Sequence, residues 1–139
     1  MKGQTVLGAL YRNHHNGTFT DVTKQAGLTT PCVAMGDAVG DNDFNNAGRP
    51  DICVGNDSTP NFLDRDLGDG KFCDASQEAG PAIEARRVGR GLAVGDLFND
   101  GKMDVVVEDL DGKPLILRNP GVAGRQQRQH DRLQPVPVG

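Results

Sequence analysis

Two loops of one design place oxygen-bearing side chains at matching intervals along the chain. The candidate ligands for a metal ion are Asp43, Asn45, Asp51, Asp96, Asp100 and Asp104. Hard cations such as Ca²⁺ bind six to eight oxygens, and alternate residues of a tight loop bring their oxygens towards one point. A glycine at the sixth position, Gly48 or Gly101, permits the sharp backbone turn. The spacing predicts two Ca²⁺-binding loops, each followed directly by a strand.

Each loop lacks one of the expected ligands. Ala47 stands at the fifth position of the first loop, and Phe98 stands at the third position of the second. Asp41 is a candidate substitute ligand in the first loop. A loop with fewer charged ligands has a lower affinity for Ca²⁺, so both loops are expected to bind this ion weakly or not at all. The alternative interpretation is a metal-free turn that is stabilised by Asx hydrogen bonds.

Other site chemistries fit the sequence less well. An EF-hand requires Glu at the twelfth loop position, where this chain has Val54 and Val107. No order of Ser, His and Asp and no activated Cys suggests nucleophilic catalysis. Cysteines 32, 53 and 73 include no CxxC pair, and they are interpreted as buried or half-buried apolar side chains. One disulfide with one remaining thiol is the alternative.

The loops lie within an internal repeat. Residues 63–80 match residues 10–27 without a gap, so that Phe72 corresponds to Phe19. Both phenylalanines are expected to face a core. Each copy contains short apolar segments between turns, and four short strands in roughly fifty residues are typical of one β-propeller blade. Helical periodicity is absent, although residues 24–26 and 77–79 could form single turns before a glycine.

The repeat predicts an all-β chain of antiparallel, four-stranded blades, about two blades in total. Residues 1–28 are predicted to end one blade, residues 29–80 to form a complete blade, and residues 81–119 to form part of another. Residues 120–139 are rich in Arg, Gln and Pro and are predicted to be a disordered tail.

Composition excludes several classes of protein. The chain has 139 residues and a formal net charge of −4, and this mild acidity argues against nucleic acid as a partner. Its apolar runs are too short for a membrane span. The first residues lack the apolar run of a signal peptide, so no export signal is expected within this chain.

The motif Gly-Asp-x-x-Asn-Asp-Gly-x-x-Asp at residues 95–104 resembles the FG-GAP (VCBS) repeat, the calcium-loop blade of integrin-α-type propellers. Residues 10–28, 56–63 and 90–104 resemble the blade sequences of the ASPIC/UnbV, cartilage-acidic-protein-like family. The resemblance covers about residues 10–119. It implies a seven-bladed propeller with Ca²⁺ in blade loops, an extracytoplasmic or secreted location in full-length relatives, and a binding role.

The chain departs from this family in length, in its incomplete loops and in its tail, which suggests a fragment of a larger β-propeller. The function expected is a non-catalytic, calcium-binding repeat module that presents loops to a protein or carbohydrate ligand. Missing propeller blades or a second copy of the chain are further expected partners. Two alternatives remain, namely a propeller-based enzyme or accessory segment and a truncated fragment without independent function.

Overall fold

A computed structural model describes residues 6–39, 43–110, 112–121 and 133–138. The elements in chain order are β1 (Val6–Leu7), β2 (Tyr11–Asn13), β3 (Phe19–Asp21), α1 (Thr23–Ala26), β4 (Pro31–Cys32), β5 (Ala34–Val39), β6 (Ile52–Asn56), β7 (Phe62–Gly68), β8 (Lys71–Asp74), α2 (Ser76–Ala79), β9 (Gly89–Gly95), β10 (Asp104–Asp109), β11 (Leu115–Arg118) and β12 (Gln134–Val136).

Two four-stranded antiparallel sheets dominate the structure. Strands β5 to β8 form one sheet and strands β9 to β12 form the other, each in sequence order. Strands β2 and β3 form a hairpin, and β1 pairs with β4. The prediction of an all-β chain of antiparallel, four-stranded propeller-type sheets is therefore confirmed. None of the helices among the described residues is long and apolar enough to cross a membrane.

Local sequence explains the strands and the turns between them. Strand β10 contains three consecutive valines, and β-branched side chains favour the extended backbone. Between β7 and β8, Asp69 and Gly70 have φ of 53° and 70°. Both values suit a tight hairpin turn, for which Asp-Gly is a preferred pair.

The two helices are single turns at equivalent places in the repeat, as predicted. Helix α1 ends before Gly27 and α2 ends before Gly80. A side chain at Gly27 would also collide with the backbone oxygen of Phe72, because a Cβ there would lie 2.8 Å from that oxygen. This close approach packs the end of α1 against β8.

The main core lies between the two large sheets. It includes Cys53 and Leu63 from the first sheet and Val105 and Leu117 from the second, with Ile83 completely buried beside them. A second cluster on the opposite face of the first sheet contains Cys32, Ile52, Val54 and Phe62. Neighbours in β6 therefore point to different clusters, as the two-residue period of a strand requires.

Individual side-chain expectations have mixed outcomes. Cys32 and Cys53 are buried and Cys73 is half-buried, as the sequence interpretation proposed. Phe72 packs against the second cluster. Phe19 is 61% exposed on the β2–β3 hairpin, so its assignment to a core was wrong.

The prediction of a disordered tail requires correction for residues 133–138. Strand β12 pairs with β11, with Val136 opposite Ile116. Leu133 is buried in the main core and its N–H donates to the oxygen of Ala79 at 2.8 Å. The segment is ordered because it pairs with the open edge of β11 and because Leu133 occupies an apolar site in the main core. Neither contact can be recognised from the amino-acid composition of the segment. The second sheet consequently has four strands, one more than residues 81–119 alone supply.

Candidate metal-binding loops

The two predicted loops connect the first two strands of each large sheet. The first joins β5 to β6 and the second joins β9 to β10. Asn46 and Asn99, at their fourth positions, have φ of 55° and 54°. Gly48 and Gly101 follow at the sixth positions with φ of 75° and 79°. The two loops therefore share a positive φ at the same two positions despite their different ligand sets.

The acid at the first position holds each loop closed. The oxygens of Asp43 accept the backbone N–H groups of Ala47, at 2.7 Å, and of Gly48. In the second loop Asp96 accepts the N–H of Asp100 at 2.9 Å and that of Gly101 at 2.8 Å. One side chain thus organises the tight turn in each copy.

The acid at the ninth position of the first loop is almost completely buried. Asp51 is 1% exposed, and it accepts the N–H of Phe44 at 3.1 Å and the N–H of Asp66 at 2.9 Å. Burial raises the pKa of Asp51, the two N–H groups oppose that rise, and repulsion from Asp43 adds to it. The two N–H bonds fix the position of the ninth-position acid in the first loop.

The second loop repeats this arrangement. Asp104 is fully buried and accepts the N–H of Leu97 at 3.0 Å and the N–H of Asn119 at 2.8 Å. Asn119 lies 53 residues after Asp66, so the same two backbone positions hold both ninth-position acids. Asn119 also donates from its side chain to the backbone oxygen of Phe44 at 3.0 Å, and this bond joins the two loops.

The remaining candidate ligands differ in their surroundings. In the first loop, the side-chain oxygen of Asn45 accepts the N–H of Ala47 at 3.0 Å. In the second loop, Asp100 lies 3.1 Å from the guanidinium of Arg118 and 3.4 Å from the ammonium of Lys102. The hydrogen bond from Arg118 is the main reason that the pKa of Asp100 is lowered.

Arg118 also stacks on an aromatic ring in the second loop. Its guanidinium carbon lies 4.6 Å from the centroid of Phe98, which stands at the third ligand position. Stacking of this kind is a favourable cation–π contact. The guanidinium of Arg118 therefore already places a positive charge beside Asp100, before any metal ion binds.

The structure thus places the six candidate ligands in two separate loops, three in each. Among the described residues, no group of three or more His, Cys, Asp or Glu side chains is close enough to hold a metal ion. Asp41 lies outside the described residues. The sequence analysis did not identify Arg118 as a partner of Asp100. The available signal was that arginine recurs at the equivalent repeat positions 12, 65 and 118.

Comparisons with known proteins agree with the repeat. Residues 43–107 match a family model described as an FG-GAP-like repeat. Cartilage acidic protein 1 of Homo sapiens is 37% identical over 92 residues, which are 66% of this chain and 14% of that protein. The Mus musculus protein is 35% identical over 92 residues, and the Xenopus tropicalis protein is 34% identical over 93. The chain spans about 14% of the length of these relatives.

Proposed function

We propose that this chain, which contains an FG-GAP-like repeat and is similar to cartilage acidic protein 1, is a non-catalytic repeat module that binds Ca²⁺. The observation that carries the proposal is the duplicated loop geometry. Each loop holds its first and ninth acids in fixed positions through backbone N–H groups, and a carboxylate oxygen that accepts one N–H retains a lone pair for a cation.

The first loop has the more suitable donor set for Ca²⁺. Its candidate ligands are the carboxylates of Asp43 and Asp51 and the side-chain oxygen of Asn45. Among the described residues Asp43 forms no ion pair. A bound cation would relieve the repulsion between Asp43 and Asp51. Water and backbone oxygens would have to complete the coordination, which is compatible with weak binding.

The second loop is expected to bind Ca²⁺ less tightly than the first. Its candidate ligands are Asp96, Asp100 and Asp104. Arg118 and Lys102 already neutralise Asp100, so an incoming cation has to compete with both positive groups. Phe98 supplies no oxygen at the third position.

The proposed role of the module is to present loops to a protein or carbohydrate ligand outside the cytoplasm. The acids follow the structural repeat, as expected for loop organisation, and in the part of the chain that the structure describes they do not converge on a catalytic arrangement. Cartilage acidic protein 1 is named for cartilage, and neither its name nor that of the FG-GAP-like repeat denotes a reaction. Further propeller blades, or a second copy of the chain, are proposed as additional partners.

Thermal unfolding of the full chain with Ca²⁺ or with EDTA tests the proposal. A ligand that binds only the folded state raises the midpoint, and about 10 mM Ca²⁺ should raise it by about 4 °C if the dissociation constant lies near that of weak extracellular modules. Asp43→Asn should abolish most of this rise. Asp69→Asn is the matched control, since it makes the same change in an exposed turn. An unchanged midpoint at 10 mM Ca²⁺ would refute calcium binding.

A further inference from the structure

A pocket outside the two loops lies against the second hydrophobic cluster. Its volume is about 130 Å³, and residues 8–10 contribute to its lining. Ile52, Val54 and Phe62 of strands β6 and β7 also line the pocket. The pocket is therefore largely apolar, and it lies on the face of the first sheet that is turned away from the main core.

One carboxylic acid lines this apolar pocket. Asp64 lies in the middle of β7 and is only 3% exposed. Among the described residues, no hydrogen bond or ion pair reaches its carboxylate, and the residue paired with it on β8 is another acid, Asp74. Burial first, and repulsion from Asp74 second, raise the pKa of Asp64 to about 6. At neutral pH an ionised carboxylate therefore faces the pocket without a partner.

The repeat shows that the fold does not need an acid at this position. The residue 53 positions later is Leu117, which is completely buried and pairs with Val105. The equivalent position in the neighbouring sheet is thus occupied by an apolar side chain. A buried charge without a partner is strongly unfavourable, because the ion loses its hydration. The acid at position 64 therefore points to a ligand that supplies the missing positive charge.

We propose that this pocket binds a primary alkylammonium group, with the ammonium paired to Asp64 and the alkyl stem packed on Ile52, Val54 and Phe62. The three N–H donors of an ammonium match a carboxylate that only accepts hydrogen bonds. A cavity of about 150 Å³ holds benzene, so this pocket has room for about five non-hydrogen atoms. Butylamine has that size. The group belongs either to a small free amine or to a lysine side chain of another protein.

The proposal is tested by titrating the full chain at pH 7.5 with butylamine and following backbone amide shifts by NMR. The titration is run in EDTA, so that its outcome is independent of the calcium loops. Saturable shifts are expected at the pocket residues. Butan-1-ol, which has the same shape and no charge, should bind at least tenfold more weakly. Equal binding of the alcohol would overturn the proposal.

Variants separate the role of Asp64 from a general loss of structure. Asp64→Asn and Asp64→Leu should each weaken butylamine binding at least tenfold, and the leucine variant should remain folded because its repeat counterpart is Leu117. Asp69→Asn, the matched control at an exposed acid, should bind as the wild type does. Unchanged affinity in Asp64→Leu would refute the proposal.

A second titration distinguishes the two sources of the ammonium. N-acetyl-lysine methylamide carries the same alkylammonium on a peptide backbone. Binding at least as tight as that of butylamine would assign the pocket to a lysine of a protein partner. Binding of butylamine alone would assign it to a free amine. If neither compound binds at concentrations up to about 50 mM, a range in which even a ligand of five non-hydrogen atoms with low binding energy per atom is detectable, the proposal fails.

Discussion

The side-chain nitrogen of Asn119 donates to the backbone oxygen of Phe44 over 3.0 Å, and both residues are buried. The backbone N–H of Asn119 donates at the same time to Asp104. One residue directly after β11 therefore connects the ninth-position acid of the second loop to the backbone of the first. The two loops are linked through a bond that crosses between the sheets.

Replacing the bridging amide should weaken the fold. In Asn119→Asp the donor to Phe44 is lost and a carboxylate faces a carbonyl oxygen, so the free energy of unfolding should fall by about 2 kcal/mol or more. Urea denaturation measures the change. Gln77→Glu, an amide-to-acid change at an exposed position, should alter stability by no more than about 0.5 kcal/mol. Equal stability of the two variants would show that the bridge is dispensable.

Removing Arg118 should make the second loop more responsive to calcium. In Arg118→Met the competing guanidinium is gone, and Lys102 is then the one positive partner of Asp100 among the described residues. The rise in melting midpoint at 10 mM Ca²⁺ should exceed that of the wild type by about 2 °C. Arg12→Met changes the equivalent arginine of the first repeat copy and should leave the rise unchanged. A smaller rise in Arg118→Met would contradict competition at Asp100.

Asp64 should make stability depend on pH in a direction opposite to that of most carboxylates. Its pKa is about 6 in the folded chain and near 3.8 when unfolded, so the folded state binds more protons between these values. Stability should therefore fall as the pH rises from about 4 to about 6, by at most about 3 kcal/mol.

The pH effect is isolated by comparing the wild type with Asp64→Leu. Urea unfolding at pH 4 and pH 7 should show that the variant gains about 2 kcal/mol over the wild type at pH 7 and much less at pH 4. Asp100 and Asp51 are present in both proteins, so their own titrations cancel in the difference. An equal gain at both pH values would mean that folding does not raise the pKa of Asp64.

The segment that contains β12 should contribute to the stability of the second sheet. Leu133→Ala should lower the free energy of unfolding by about 2 to 3 kcal/mol, because it leaves a cavity in the main core. Leu110→Ala makes the same change at a residue that is 61% exposed and should have little effect. A neutral result at Leu133 would mean that the tail does not pack as the structure shows.

The parts of the fold that follow from local sequence could be predicted. Turn residues and alternating apolar segments recur at an interval of 53 residues. They were sufficient to predict the antiparallel sheets and the single-turn helices before Gly27 and Gly80. The loop conformations were predictable for the same reason, because Gly48 and Gly101 recur at positions that require positive φ.

Contacts between distant segments could not be predicted in this way. The pairing of β12 depends on the free edge of β11, and Leu133 finds its site beside Ala79, far away in the chain. The exposure of Phe19 depends on what surrounds the β2–β3 hairpin, whereas its repeat partner Phe72 packs on a sheet. The stacking of Arg118 on Phe98 likewise joins side chains from two elements.

Strand β12 also has a consequence for self-association. It is the outermost strand of the second sheet among the described residues, and exposed sheet edges can recruit strands from other molecules. Pro135 lies within it and Pro137 follows it directly. Proline has no backbone N–H, so this edge offers fewer donors to an incoming strand. The segment that completes the sheet thus also makes it a poor template for aggregation.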